Sequence, residues 1–223
     1  MTVKLFFNAF IKFLIGIILI GVLLFFPAGS LNYFNGWLFM AVLFIPMFFI
    51  GLIMVFKNPK LLQKRLDAKE KQKEQKLVVN LSGLMFIFGF VIAGLNHRFN
   101  LHSIPNTVVI IATIIFLVAY ILYFEVLREN TYLSRTIKVE NNQKVIDKGL
   151  YRIVRHPMYF TTLFMFLTIP IILGSIFSLI VFLAYPFIIA KRIISEEKLL
   201  EKELNGYVDY KQKVKYRLIP FIW

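Results

Sequence analysis

Two stretches decide how this chain folds: Gly149-Leu150-Tyr151-Arg152-Ile153-Val154-Arg155-His156-Pro157-Met158-Tyr159, and Lys191-Arg192-Ile193-Ile194-Ser195-Glu196-Glu197. Between them lies an uncharged run over 160–190. As one helix those 31 residues would extend about 46 Å, whereas the hydrocarbon core of a bilayer is about 30 Å thick. A single crossing overshoots. A run that folds back on itself brings His156 and Arg192 to the same side, where they can share a site.

The rest of the chain gives the run its setting. Of 223 residues, 59% are hydrophobic and 25 are Phe. Further uncharged runs occupy 13–35, 36–56, 77–96 and, apart from His102, 101–124. Each is near the length of about 20 residues that spans a bilayer as a helix. Pro27 and Gly29 punctuate the first pair. No segment alternates with period two, and backbone facing lipid must satisfy its own hydrogen bonds, so helices are favoured over a barrel. The expectation is an all-α polytopic membrane bundle of about six membrane segments, including a C-terminal helical hairpin. Cysteine is absent, which removes disulfides, thiolate metal sites and cysteine nucleophiles.

A net charge of +14 raises the question of nucleic acid, but its distribution answers to a membrane. With the amino terminus placed in the cytoplasm and 160–190 crossing twice, basic residues fall two in 1–12, eight in 57–76, seven in 128–155 and eight from 191 onward. Only Arg98 falls outside. This is the positive-inside pattern, and a single crossing at 160–190 would break it by exporting the tail. The hairpin turn is expected at Gly174-Ser175, with Pro170 as a kink. The basic loops suit anionic lipid at the cytoplasmic face, which points to an inner (plasma) membrane location with both termini inside and no role for nucleic acid. Residues 1–30 have a basic start, an apolar core and Ala28-Gly29-Ser30. The apolar stretch is long for a signal peptide and reads as a retained anchor.

Residues 1–124 then form membrane scaffold, and 125–223 carry nearly all the remaining charge, flanking the hairpin. Lys57-Asn58-Pro59-Lys60-Leu61-Leu62 begins a charged amphipathic stretch through Lys76, suited to an exposed or interfacial helix.

Several side chains are candidates for chemistry. Pro157 disfavours helical geometry at His156 and itself suits the first position of a helix. His156 is therefore expected at a helix entrance, where free N–H groups and a partial positive charge receive a carboxylate or phosphate. Arg155 and Arg152 add donors there, unless Arg155 only snorkels to headgroups. Residues 191–205 read as a helix leaving the membrane, with Ile193, Ile194, Leu199, Leu200 and Leu204 as its apolar positions. Arg192 and Glu196 share a face, the spacing of an ordinary ion pair. Arg192 and Glu197 diverge by about 140°, which lets one face an acceptor substrate and the other a cofactor. Glu201 and Glu203 read as solvated surface, and Glu125 as a helix-end residue.

His97 and His102 have no evident third ligand, so no metal is expected. Asn80, Ser82 and Thr113 suit hydrogen bonds between helices. There is no phosphate-cradling glycine loop and no dinucleotide fingerprint.

Taken together, GxYxxxRHPxY at 149–159, RxxxEE at 192–197, YxxYxxxV at 207–214 and the closing Arg217-Leu218-Ile219-Pro220-Phe221-Ile222-Trp223 resemble the isoprenylcysteine carboxyl methyltransferase family. The likeness covers about the last 80 residues; the first 120 match only as membrane helices. It implies a membrane methyltransferase that uses S-adenosyl-L-methionine without a soluble Rossmann fold. Carried over residue by residue, it implies that Gln143, Lys144, Val145, Ile146, Tyr151, His156, Pro157, Met158, Tyr159 and Glu197 surround the cofactor, and that Arg192 and Glu197 serve catalysis, Arg192 on the substrate side. Gly206 and Tyr207 are adjacent where the eukaryotic enzymes have a spacer, a departure that bears on the acceptor.

A carboxylate acceptor is ionised at neutral pH and needs no general base. An amine or thiol must lose a proton, and His156, Glu196 and Glu197 are the groups available to take it. The reading favours a carboxylate on a lipid-like or prenylated body. Phospholipid N-methylation, thiol S-methylation, an NADPH-dependent sterol-reductase-like activity and a non-catalytic basic membrane protein are the alternatives.

Overall fold

A computed structural model describes residues 2–67, 73–101, 103–134, 136, 139, 140 and 142–223. Among them the chain forms nine α-helices and no strand. These are α1 (Thr2–Ala28), α2 (Phe34–Lys57), α3 (Pro59–Leu66), α4 (Lys73–Arg98), α5 (Asn106–Glu129), α6 (Pro157–Ile172), α7 (Ile176–Phe182), α8 (Tyr185–Glu203) and α9 (Tyr207–Lys213). Among the described residues five segments are long and apolar enough to cross a membrane: Val3–Ala28, Phe34–Lys57, Gln75–Arg98, Asn106–Glu129 and Ile176–Glu203. α6 is apolar too but, at 16 residues, shorter than these five. The protein is a polytopic helical membrane bundle, and large apolar side chains such as Phe7, Ile18, Phe26 and Phe56 are more than half exposed on its outer surface. In water they would be a liability; facing lipid tails they cost nothing.

The uncharged run folds back. α6 stops at Ile172, Gly174 takes a left-handed φ of 74°, and the Ser175 hydroxyl accepts from Ser178 N at 3.2 Å to cap α7. Carbonyls at the end of α6 lack helical partners. The α1–α2 turn supplies them: the Tyr33 hydroxyl donates to Leu173 O at 2.6 Å and Asn35 Nδ2 to Ile172 O at 2.8 Å. Pro170 lies within α6. The returning arm is interrupted at 183–184, just before Pro186, so α7 and α8 are separate helices, a break that the uniform apolarity of the run conceals.

Phenylalanines fill the centre. Phe39, Phe116 and Phe182 are fully buried, and Phe39 sits 5.6 Å from Phe90 and Phe86 5.4 Å from Phe182, ring centre to ring centre. Two glycines of α4 make room. A methyl group at Gly89 would overlap the Phe182 ring, and Ser178 Oγ donates to Gly89 O at 2.8 Å. At Gly94 it would press on the backbone of Leu24 and Ala28, so α4 approaches α1 closely through a small residue.

α3 is more than an interfacial helix. Asn58 caps it and Pro59 begins it, and Leu61 and Leu62 are buried against Leu5, Met54, Val55 and Leu127. Its polar side holds the connection that follows α5. Lys64 pairs with Glu140 at 2.7 Å, and Arg65 donates to Ser134 O at 3.4 Å, to the Tyr123 hydroxyl and to Met158 Sδ at 3.7 Å. The 68–72 part of the expected amphipathic stretch lies outside the described residues, as does His102. His97 stacks on Tyr33 with ring centres 4.3 Å apart.

Candidate active site

The site begins where α5 ends. The Glu129 carboxylate accepts from Leu150 N at 3.1 Å, and Gly149, with φ of 56°, packs so closely on it that a Cβ would overlap the carboxylate oxygens. This seats a short 3-10 turn over Gly149–Arg152. Within that turn Tyr151 is buried; its hydroxyl accepts from Asn130 Nδ2 at 2.9 Å and its carbonyl accepts from the Tyr210 hydroxyl at 2.7 Å. Burial raises the Tyr151 and Tyr210 pKa values, so both phenols stay protonated. Arg152 turns outward, with Nε on Asp147 O at 3.2 Å, and takes no part in the pocket.

His156 lies at the entrance of α6 with φ −124° and ψ 63°, and Pro157 is the first helical residue. The tail fixes this corner. Arg155 N donates to Tyr216 O at 2.9 Å and His156 N to Arg217 O at 3.0 Å. The Arg155 side chain does not snorkel. It is 7% exposed, and its NH1 group donates to Val214 O at 2.7 Å and Lys215 O at 2.9 Å.

Under this corner lies Glu197, 2% exposed. Its Oε1 accepts from Arg155 Nε at 2.7 Å and faces His156 Nε2 at 3.2 Å, while Oε2 accepts from Arg217 Nε at 2.9 Å. Both oxygens are engaged, by three side chains from two separate segments, 155–156 and the tail. The preceding residue behaves differently. Glu196 Oε2 accepts from the Tyr159 hydroxyl at 2.5 Å, and that hydroxyl accepts from Arg192 Nε at 2.9 Å. Arg192 and Glu196, expected as a direct helical pair, are therefore bridged by a phenol from α6.

One cavity collects most of the expected residues. Gln143, Lys144, Val145, Ile146, Tyr151, His156, Pro157, Met158 and Tyr159 all line it, and so does Arg192. Glu197 does not: its carboxylate sits behind Arg155 and His156, and Glu196 takes the place on the wall. The physical reason is rotation, since neighbours on a helix point about 100° apart. Tyr132, Ser134, Leu200, Tyr207 and Tyr210, absent from the expected set, also border the cavity. Glu125 pairs with Arg128 at 2.5 Å, and Glu201 with Lys211, both away from it.

The lining suits S-adenosylmethionine. Tyr rings with Val145, Ile146 and Leu200 offer an apolar face for a base, Lys144 and Gln143 offer polar groups for an amino-acid end, and Glu196 offers negative charge to a sulfonium. A buried hydroxyl with no partner among the described residues, on Tyr207, is a further sign that something belongs there.

Residues 105–205 match the family model described as phospholipid methyltransferase. The match runs from the start of α5 to just past α8 and includes every expected site residue. No curated protein matches the chain. The matched segment is similar to membrane methyltransferases of the broad group that holds both the phospholipid and the isoprenylcysteine carboxyl enzymes, and the activity it indicates is methyl transfer at a membrane.

Proposed function

We propose that the chain transfers a methyl group from S-adenosyl-L-methionine to a lipid-like acceptor held in the membrane, with a carboxylate as the leading acceptor chemistry. The observation that carries this reading is the cavity: nine residues expected around the cofactor border it together with Arg192 and Glu196, inside the segment that matches a methyltransferase family. In this reading the charged end of the bundle is cytoplasmic, residues 1–124 are scaffold and 125–223 carry the chemistry.

Bound S-adenosylmethionine would supply a methyl carbon whose bond to sulfur breaks as its bond to the acceptor oxygen forms, giving a methyl ester and S-adenosylhomocysteine. The chain's own part is to hold and to exclude water. Arg192, fixed by the Tyr159 hydroxyl at 2.9 Å, orients the acceptor carboxylate; holding the reacting atoms in line supplies most of the acceleration. Gln143, Lys144, Val145, Ile146, Tyr151, His156, Pro157, Met158 and Tyr159 hold the cofactor. Glu197 acts through Arg155 and His156 as a positioning residue. No proton has to move for a carboxylate.

Amine methylation of a phospholipid is the second reading, and Glu196 is the observation that favours it. This carboxylate is half-buried on the cavity wall and able to accept an amine proton. Purified protein incubated with methyl-labelled S-adenosylmethionine and membrane lipid separates the two. A base-labile volatile label identifies an ester, a stable lipid label identifies an amine, and no transfer of label to lipid contradicts both. Arg192→Ala is expected to lose label transfer while still binding S-adenosylhomocysteine.

A further inference from the structure

Tyr207 opens α9 directly after Gly206, whose φ is 83°, and is 4% exposed. It borders the cavity, yet its hydroxyl has no hydrogen-bond partner among the described residues. Three residues on, Tyr210 is 5% exposed and makes the opposite choice: its hydroxyl reaches Tyr151 O at 2.7 Å. The same short helix therefore satisfies one phenol and leaves the other open. Burying a hydroxyl without a partner forfeits its hydration for no return, and a phenyl ring would fill the same space without that loss. The hydroxyl is thus unexplained by packing. It also lies close enough to the site to feel its charges. Burial raises the Tyr207 pKa and the Glu197 and Glu196 carboxylates raise it further, so the group is a protonated donor at neutral pH.

We propose that Tyr207 is a cofactor-binding residue, its hydroxyl donating a hydrogen bond to an oxygen of the S-adenosyl ligand, either a ribose hydroxyl or the amino-acid carboxylate. The inference rests on the proposed use of S-adenosylmethionine. It extends the binding site beyond the matched segment, which ends at residue 205, onto the helix that follows α8.

The test is isothermal calorimetry on the full chain in detergent, comparing wild type with Tyr207→Phe. S-adenosylhomocysteine and 5′-methylthioadenosine, which keeps the ribose and lacks the carboxylate, are the two probes. Loss of one hydrogen bond is expected to weaken S-adenosylhomocysteine binding by about 3- to 10-fold, while the melting temperature without ligand stays level or rises. An equal loss for 5′-methylthioadenosine assigns the contact to ribose; a loss confined to S-adenosylhomocysteine assigns it to the carboxylate. Unchanged affinity in Tyr207→Phe overturns the inference alone. So does a lower ligand-free melting temperature, which would mark a structural bond. A folded wild type that binds neither probe removes the S-adenosylmethionine reading itself, and this inference with it.

Discussion

Glu196 and Glu197 are neighbours in the chain and differ in nearly every physical respect. Glu197 is the dry floor of the site, 2% exposed and bonded by Arg155, His156 and Arg217. Glu196 belongs to the wall, half-buried and linked through the Tyr159 hydroxyl to Arg192. The floor joins the entrance of α6, the tail and α8 into one corner. The wall leaves a charge available to whatever enters. A single residue step along the helix, about 100°, thus separates a carboxylate enclosed by donors from one that faces the cavity.

The largest effect is expected at the floor. Glu197→Ala leaves Arg155 and Arg217 with uncompensated charge, one of them buried, and breaking such a cluster costs about 3–5 kcal/mol. A thermal melt in detergent should show a large drop in midpoint together with loss of S-adenosylhomocysteine binding, and a normal melt would dissolve the distinction between floor and wall. At the wall, Glu196→Gln should leave the melt nearly in place and lower methyl transfer by about 10-fold or more, the scale of one charged hydrogen bond. Equal damage from both variants in the melt would mean that Glu196 is as much a part of the packed corner as Glu197.

Smaller effects are expected around the floor and the wall. Gly149→Ala forces a side chain into positive φ and onto the Glu129 carboxylate, at a cost of about 1–3 kcal/mol readable by chemical denaturation. Tyr210→Phe deletes one satisfied buried bond to Tyr151 O and should lower stability by about 1 kcal/mol. The contrast with Tyr207→Phe, which deletes an unsatisfied one, is sharpest in the same melt. pH changes should do least in the neutral range. The Tyr151, Tyr207 and Tyr210 pKa values are raised by burial above their ordinary value of 10.0, so these groups favour the folded state while protonated. Their contribution is complete below about pH 10, the pKa of an unfolded tyrosine. It declines as pH rises beyond that, because the unfolded chain ionises first. A melt that weakened between about pH 7 and about pH 9 would need a different titrating group.

Much of the scaffold was legible because membrane physics writes it in composition. The apolar runs gave the helices, the Lys and Arg distribution gave the fold-back at 160–190, and Gly174-Ser175 marked the turn that the structure shows. Pro157 gave the start of α6 and the placement of His156. The lining of the cavity was legible as a group of residues and not as a geometry. Which of Glu196 and Glu197 faces the cavity depends on the rotation of α8, and its membrane-leaving half mixes buried Ile193 with Ile194 at 43% exposure. That mixture blurs the apolar stripe that would have set the phase. The tail was harder still. Arg155 is held partly by the carbonyls of Val214 and Lys215, and a backbone acceptor carries no side-chain signature. Arg65 looked like one more basic residue in a charged loop, and only the fold brings it to Tyr123, Ser134 and Met158.

In the proposed function the cavity between α6, α8 and α9 holds S-adenosylmethionine. Titration of S-adenosylhomocysteine into the purified wild-type chain in detergent, followed by calorimetry, tests it most directly. Saturable binding at one site per chain, lost in Tyr159→Ala, is the predicted result. A chain that melts cooperatively and takes up no S-adenosylhomocysteine would contradict it.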